Sequence, residues 1–282
     1  MIEVNEMDQI ETILQSVSNT LTPIKGIAGV VLGGSRARGT HTLESDIDIG
    51  IYYHSDTLDL TALDRAATVL DSEHRTGLIA PPGAWGNWVN GGGWLMINGC
   101  HVDFILRDIL RVAQAIEDCR EGRIAAHYQT GHPHTYLNAM YMGELATCRI
   151  LSDRDGKIQE IQDKTHPYPQ NMREAIIRFF MFEAGFSHMF ADKNKNKQDA
   201  YYVAAHLVRS VSCLNQVLFA LNGEYCINEK KAVRMIDGFQ VKPPEYGRRI
   251  ENLFSLAGYE EEQACTCLKN LIDDVEKLVR EV

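Results

Sequence analysis

Three aspartates in two apolar segments are the residues of this chain best suited to do chemistry. Asp46 and Asp48 alternate with isoleucines in Asp-Ile-Asp-Ile, and Asp103 lies in His-Val-Asp-Phe-Ile-Leu. Alternate residues of a strand point to one face, so Asp46 and Asp48 are expected side by side, opposite the isoleucines. Carboxylates held this close need a cation, and magnesium prefers such oxygen ligands. The pattern predicts that Asp46, Asp48 and Asp103 together bind two magnesium ions that orient and polarise a phosphate group.

A glycine-rich turn precedes the first two aspartates. Gly33, Gly34 and Ser35 follow an apolar, β-branched run and come just before the basic residues Arg36 and Arg38. Glycines let backbone N–H groups approach an anion closely, a hydroxyl adds a donor, and guanidinium groups bind phosphate oxygens in pairs. We therefore predict that these five residues bind the phosphates of a nucleotide.

The order of these motifs resembles that of the DNA polymerase β-like nucleotidyltransferase superfamily. The shared pattern is an apolar strand, Gly34-Ser35, a spacer, Asp46-Ile47-Asp48-Ile49 and a later strand aspartate, Asp103. This resemblance covers residues 20 to 110. It implies a small mixed sheet flanked by helices, ATP or another NTP as a substrate, two magnesium ions, and transfer of a nucleotidyl group with release of pyrophosphate.

The remainder of the chain resembles the helical substrate domains of bacterial antibiotic nucleotidyltransferases, especially those that modify aminoglycosides. Enzymes of that kind take a catalytic base and a triphosphate-binding lysine from the second domain, which implies these roles for Glu144 and Lys230. Each also has a plainer interpretation, as an exposed helix residue or as part of a solvated first turn. The choice of general base stays open between Glu144 and Asp103. His132 and His134 are interpreted as loop residues.

The elements that must position the aspartates follow from hydrophobic periodicity. Apolar residues at helical spacing predict a helix over residues 5–22, and a β-branched run predicts a strand over 27–32. One helical turn is expected over 35–39. A strand over 46–53 and a crossover helix over 58–75 then follow.

A hairpin should carry the third aspartate. Asn98-Gly99 separates two apolar runs, 94–97 and 102–106, and this dipeptide between such runs is a strong hairpin signal. The second run, with Asp103, is expected to lie beside the Asp46 strand in one sheet. Three tryptophans precede or begin the hairpin, and they either cap the sheet edge or stack on a ring of a ligand: Trp85, Trp88 and Trp94.

Helical patterns dominate after residue 107. Helices are predicted over 108–119, 136–151, 171–191, 198–221, 228–237, 244–257 and 260–281. The predicted fold class is α+β, with a mixed-sheet nucleotidyltransferase domain over residues 1–128 and an all-α substrate-binding bundle over residues 129–282.

Composition limits the partners of this chain. Its 282 residues carry a formal net charge of −10. Nucleic-acid affinity depends on Lys and Arg that neutralise phosphates, so a nucleic-acid partner is not expected. The sequence lacks a signal-peptide pattern or an apolar run of ~20 residues, which predicts a cytoplasmic protein without a membrane partner. The seven scattered cysteines are expected to be reduced, with a zinc site at Cys265 and Cys267 disfavoured.

The sequence thus predicts a magnesium-dependent enzyme that moves a nucleotidyl group, AMP in the first instance, from an NTP to a hydroxyl of a small acceptor such as an aminoglycoside. The alternative is a nucleotide-binding regulatory or antitoxin-type protein without turnover, which the intact set of three aspartates disfavours. RNA as the acceptor would require a basic groove, which the net charge of −10 does not support. Related two-domain enzymes can complete their sites by dimerising, so a homodimer is left open.

Overall fold

The computed structural model describes residues 2–281, with side chains from residue 8 onward. The chain forms two compact units that alternate along the sequence. The sheet unit comprises the segment that ends at Glu117, together with Tyr128–Gly131 and Tyr141–Pro167. The helical unit comprises Asp118–His127, His132–Met140 and the segment that starts at Tyr168. The sequence predicts a single domain boundary after residue 128. In the structure the chain instead passes between the two units several times from residue 117 to residue 168.

Helices and strands in chain order are α1 (Ile2–Leu21), β1 (Ile27–Leu32), α2 (Gly34–Ala37), β2 (Ile47–Tyr53), α3 (Leu60–Leu70), β3 (Gly92–Ile97), β4 (Cys100–Asp108), α4 (Ile109–Arg120), β5 (Ala126–His127), β6 (Tyr136–Leu137), α5 (Ala139–Thr147), β7 (Arg149–Asp153), α6 (Lys157–Asp163), α7 (Gln170–Asn194), α8 (Ala200–Leu221), α9 (Ala232–Ile236), α10 (Tyr246–Leu256) and α11 (Glu261–Glu281). The predicted fold class, a mixed sheet followed by a helical part, is confirmed.

A five-stranded sheet in the order β3-β4-β2-β1-β7 forms the centre of the sheet unit. All its neighbouring strands are antiparallel except β2 and β4, which run parallel. Parallel neighbours need a long crossover connection, and α3 lies within it. The predicted hairpin between β3 and β4 is confirmed, since Asn98 and Gly99 have φ values of 49° and 80°, as a two-residue turn of type I′ requires.

One face of this sheet packs against α1 and α3. Every second residue of the central strands is buried there, namely Ile47, Ile49 and Ile51 of β2 and Val102, Phe104 and Leu106 of β4. They meet the apolar stripes of the two helices, which include Ile13, Leu14 and Val17 of α1 and Leu63 and Ala67 of α3. Burial of each large side chain stabilises the fold by roughly 1.5–3 kcal/mol. The residues between them on β2 and β4 therefore project from the opposite face.

The prediction of a helix over residues 136–151 is wrong beyond Thr147. Residues Arg149–Asp153 form β7, which pairs antiparallel with β1, with Gly29 opposite Asp153. Strand formation depends on tertiary context, and a partner so distant in sequence leaves no local signal. The sheet therefore has one strand more than the sequence predicts.

The predicted crossover helix is shorter than expected and ends at Leu70. The carboxylate of Asp71 accepts hydrogen bonds from the backbone N–H of Met96 at 2.9 Å and from Arg75 Nε at 2.9 Å. These bonds tie the end of α3 to β3. They replace the further helical turn that periodicity alone predicts.

The helical unit is a bundle built around α7 and α8, which pack along each other. The last helix, α11, packs against α7, α8 and α10, and the short strands β5 and β6 pair within the same unit. By length and composition α8 could cross a membrane, but 67% of its most apolar window is buried, as in the core helix of a bundle.

Candidate active site

The face of the sheet opposite α1 and α3 carries the aspartates predicted from the sequence. The parallel register of β2 and β4 arranges their outward residues in three rows: Asp48 with Asp103, Gly50 with Ile105, and Tyr52 with Arg107. Adjacent strands lie about 4.8 Å apart, so residues in one row project side by side. We call this surface the carboxylate face.

The aspartate row combines two half-buried side chains with one exposed side chain. Asp48 and Asp103 are half-buried, whereas Asp46 precedes β2 and is exposed. The pKa of Asp103 is raised, first by burial and then by the negative charge of Asp46, while His101 acts in the opposite direction. Mutual repulsion between carboxylates favours either a shared proton or a bound cation. The structure thus brings the three predicted ligands into electrostatic range of one another.

Gly34 lies directly against the carboxylate of Asp48. The N–H of Gly33 donates to the carbonyl oxygen of Asp48 at 2.8 Å, which fixes the turn beside β2. Gly34 has a φ of +61°, and a Cβ built on it would fall 1.7 Å from Asp48 Oδ2. Only glycine leaves room for that carboxylate in its observed position. The predicted phosphate turn and the predicted metal ligands therefore adjoin each other.

The basic residues of the turn have structural partners. Arg36 donates from Nε and Nη2 to the carbonyl oxygen of Ser45, at 3.0 and 2.7 Å. Arg38 ends α2 and is half-buried, and the carbonyl oxygen of Ser35 accepts from the N–H of Thr40 at 3.0 Å. Arg36 also lines a cavity of about 570 Å³ beside α1. The turn is thus ordered by its own contacts before any phosphate binds.

Glu144 lies in the sheet unit, on α5, rather than in the helical part where its predicted role would place it. Both of its carboxylate oxygens accept hydrogen bonds from Arg107, at 2.8 Å from Nε and 2.7 Å from Nη2. Arg107 is four residues beyond Asp103 on β4, a separation of about 13 Å along a strand. The carboxylate of Glu144 is therefore engaged at the far end of the carboxylate face.

Lys230 belongs to the helical unit, where it is exposed and its N–H donates to Asn228 Oδ1 at 2.9 Å. The neighbouring Glu229 accepts from the backbone N–H of His134 at 3.1 Å, and its other oxygen lies 3.8 Å from His132 Nδ1. Burial, with a smaller effect from Arg209, lowers the pKa of His134 to about 4. The two histidines are thus parts of a local structural contact within this unit.

The donor atoms of the carboxylate face suit magnesium. Within residues 8–281, no group of three or more His, Cys, Asp or Glu side chains converges closely enough to form a ready metal shell. Asp48 and Asp103 nonetheless offer hard oxygen ligands from opposed positions on adjacent strands, and the space beside Asp48 is kept open by Gly34. The residues fit a magnesium ion in chemical type and in placement on the sheet.

His101 is a further residue of this face that the sequence motifs did not single out, and Trp94, predicted only to cap the sheet edge or stack on a ligand, also lies on it. His101 alternates with Asp103 on β4, so it projects from the same face, and its charge affects Asp103. Trp94 is paired with Asp103 across the β3–β4 hairpin. The alternation of β4 would have identified His101, and the hairpin register counted back from Asn98-Gly99 would have identified Trp94.

Comparison with known proteins gives matches for separate parts of the chain. Residues 10–125 match the model of the nucleotidyltransferase domain family, and residues 136–230 match a domain of unknown function, DUF4037. No curated protein matches the sequence. A solved structure of a nucleotidyltransferase-like protein from Exiguobacterium sibiricum 255-15 has a TM-score of 0.43 and 9% identity, over 91% of this chain and 69% of that chain.

The family match contains the turn and the aspartates described above. Gly33, Gly34, Asp46, Asp48 and Asp103 all lie between residues 10 and 125. The matched region also contains β1, β2 and β4, the three strands that hold these residues together. Residues 10–125 are therefore similar to a nucleotidyltransferase domain, and the enzyme class predicted from the sequence, a nucleotidyltransferase, is confirmed.

Proposed function

We propose that this protein transfers a nucleotidyl group, AMP in the first instance, from a magnesium-bound NTP to a hydroxyl of a small acceptor and releases pyrophosphate. One observation carries the proposal: the parallel register of β2 and β4 sets Asp103 opposite Asp48, and the Gly33-Gly34 turn lies against Asp48. A phosphate-binding turn and paired carboxylates on neighbouring strands are what this reaction needs, because its catalysis depends on positioning and charge neutralisation.

The proposed roles follow the order of the strands. Asp46, Asp48 and Asp103 hold two magnesium ions, which when bound would neutralise phosphate charge and favour departure of pyrophosphate. The turn after β1 lies on the side of β2 away from Asp103. There the N–H groups of Gly33 and Gly34 and the hydroxyl of Ser35 bind the β- and γ-phosphates. Arg36 and Arg38 flank this turn and add positive charge to it.

Asp103 is the proposed general base. Its carboxylate lies opposite Asp48 on the neighbouring strand, where it can orient the acceptor hydroxyl as well as complete the shell of one magnesium ion. Glu144 remains the alternative. The two hydrogen bonds from Arg107 occupy both oxygens of Glu144, however, which favours Asp103 for this role.

The proposed acceptor is a small cationic or polyhydroxylated molecule of the aminoglycoside type. The net charge of −10 favours amines over polyanions, and acidic side chains raise the local concentration of cationic substrates. We also predict that the helical unit helps to select the acceptor and that Lys230 binds the triphosphate.

A transfer assay tests this proposal. The full chain is incubated with α-labelled ATP, magnesium and a panel of aminoglycosides, and labelled products are separated from ATP and AMP. We expect a labelled acceptor and stoichiometric pyrophosphate. Transfer to no member of the panel would remove the aminoglycoside, whereas binding of magnesium–ATP without any turnover would support the regulatory alternative.

A further inference from the structure

Trp94 is a large aromatic side chain left exposed beside the catalytic aspartates. It lies on β3 directly opposite Asp103 in the antiparallel pair with β4. Side chains of directly opposed residues project from the same face, so the Trp94 ring belongs to the carboxylate face. The residue is 63% exposed.

Trp94 does not stand alone, because Trp85 stacks on it. The two ring centroids are 4.6 Å apart with an interplanar angle of 22°. Gly92, two residues before Trp94, has no room for a side chain, since a Cβ there would fall 1.8 Å from the carbonyl oxygen of Phe104 and 2.9 Å from the Trp85 ring. The β3 backbone is fixed in turn by its full ladder with β4. The stack is therefore a fixed aromatic surface rather than a single mobile side chain.

The order of the strands says which part of the reaction this surface serves. From β1 towards the sheet edge at β3, the carboxylate face carries four features in spatial order. They are the Gly34 turn after β1, Asp48 on β2, Asp103 on β4 and Trp94 on β3. In phosphoryl chemistry the attacking and leaving oxygens lie roughly in line, on opposite sides of the phosphorus. With pyrophosphate over the Gly34 turn, the attacking hydroxyl must approach from the Asp103 side, where Trp94 lies.

We propose that the Trp94–Trp85 stack is the acceptor subsite and that it binds a ring-bearing, cationic hydroxyl compound by its flat face. This inference rests on the proposed function, because the in-line argument needs a nucleotide in the Gly34 turn. An indole face attracts ammonium groups through its quadrupole and gives apolar contact to a saturated ring. The carboxylate of Asp103, on the strand next to Trp94, attracts the same ammonium groups. The subsite thus selects amino-substituted rings over open-chain amines and over neutral sugars.

Calorimetric titration of the full chain tests this subsite. The protein is saturated with magnesium and α,β-methylene-ATP, then titrated with kanamycin A, with spermidine as an open-chain amine, and with sucrose as a neutral ring compound. The variants are Trp94→Ala, Trp94→Phe and a matched control, Tyr128→Ala, which removes a 90% exposed aromatic side chain elsewhere in the sheet unit. Because Trp94 is mostly exposed, its replacement is expected to leave the fold intact, which circular dichroism checks.

The expected result is that kanamycin A binds more tightly than spermidine or sucrose, and that Trp94→Ala weakens it by about tenfold or more. Trp94→Phe should retain most of the affinity, and Tyr128→Ala all of it. Equal kanamycin binding by Trp94→Ala, a loss confined to the nucleotide, or no kanamycin binding by the unmodified chain would each overturn the subsite. The nucleotide titration in the same samples separates these failures from failure of the proposed function, which would abolish magnesium-dependent nucleotide binding itself.

Discussion

At the level of single residues, Gly34 has two independent reasons to be glycine. Its φ of +61° is in the left-handed region, and a Cβ there would overlap the carboxylate of Asp48. The first reason concerns only the backbone, whereas the second concerns the proposed metal ligand. Gly39 shares the first reason without the second, since its φ is +68° and a Cβ there would meet nothing within 4 Å.

Gly34→Ala should therefore impair the site more than it destabilises the protein. We expect both Gly34→Ala and Gly39→Ala to cost about 1–2 kcal/mol of unfolding free energy from backbone strain. Only Gly34→Ala should also displace Asp48 and lose magnesium-dependent ATP binding. Urea unfolding and calorimetry measure the two effects separately, and ATP binding by Gly34→Ala equal to that of Gly39→Ala would refute the contact.

Asp103 should reduce stability while it supports function. Its pKa is raised in the folded state, so the fold favours the protonated carboxyl over the ionised one. This stabilisation is fully present below the unfolded pKa of about 3.9 and is lost as the pH rises through the folded pKa. At pH 7 the ionised carboxylate is therefore a cost to the metal-free fold. A neutral side chain of the same shape removes that cost.

For Asp103→Asn, we expect an unfolding free energy at pH 7 in EDTA at least as large as that of the unmodified protein. The same variant should lose more than about 100-fold in kcat/KM, because a metal ligand and the proposed base are removed together. Urea titrations in EDTA and the transfer assay check the two halves. A variant that is less stable in EDTA would show that ionised Asp103 stabilises the fold.

At the level of elements, α5 is held to the sheet by the ion pair of Arg107 and Glu144. The side chain of Arg107 is 5% exposed and that of Glu144 is 27% exposed. Arg107 also donates to the carbonyl oxygen of Val89 at 2.8 Å, so its charge is fully enclosed by acceptors. Loss of one partner from a buried pair leaves the other charge without compensation. Glu144 thus has a structural role whatever its role in chemistry.

Glu144→Ala should destabilise the protein by about 2–4 kcal/mol, somewhat less than for a fully buried pair. The control is Glu11→Ala, which also removes a carboxylate bound by two arginine nitrogens, those of Arg149, but with side chains 60% and 47% exposed. The control should cost at most about 1 kcal/mol. Thermal or urea unfolding compares them, and equal effects would mean that the Arg107 pair contributes no more than a surface pair.

At the scale of the whole molecule, local signals predicted most of the fold and most of the candidate site. The strand over 27–32, the turn after it and the Asn98-Gly99 hairpin are encoded by neighbouring residues, so periodicity and turn chemistry predicted them. The strand β7 was missed because its pairing partner, β1, is far away in sequence. The same reason explains why the engagement of Glu144 by Arg107 required the structure, since these residues are 37 positions apart.

The central claim is that the paired aspartates beside the Gly34 turn bind a magnesium nucleotide, and calorimetric titration with ATP tests it most directly. Asp48→Asn is compared with the unmodified chain and with Asp56→Asn, an exposed aspartate in the turn after β2. We expect ATP binding that requires magnesium, that is retained by Asp56→Asn and that is abolished by Asp48→Asn without loss of folding. Magnesium-dependent ATP binding by Asp48→Asn with unchanged affinity would contradict this claim.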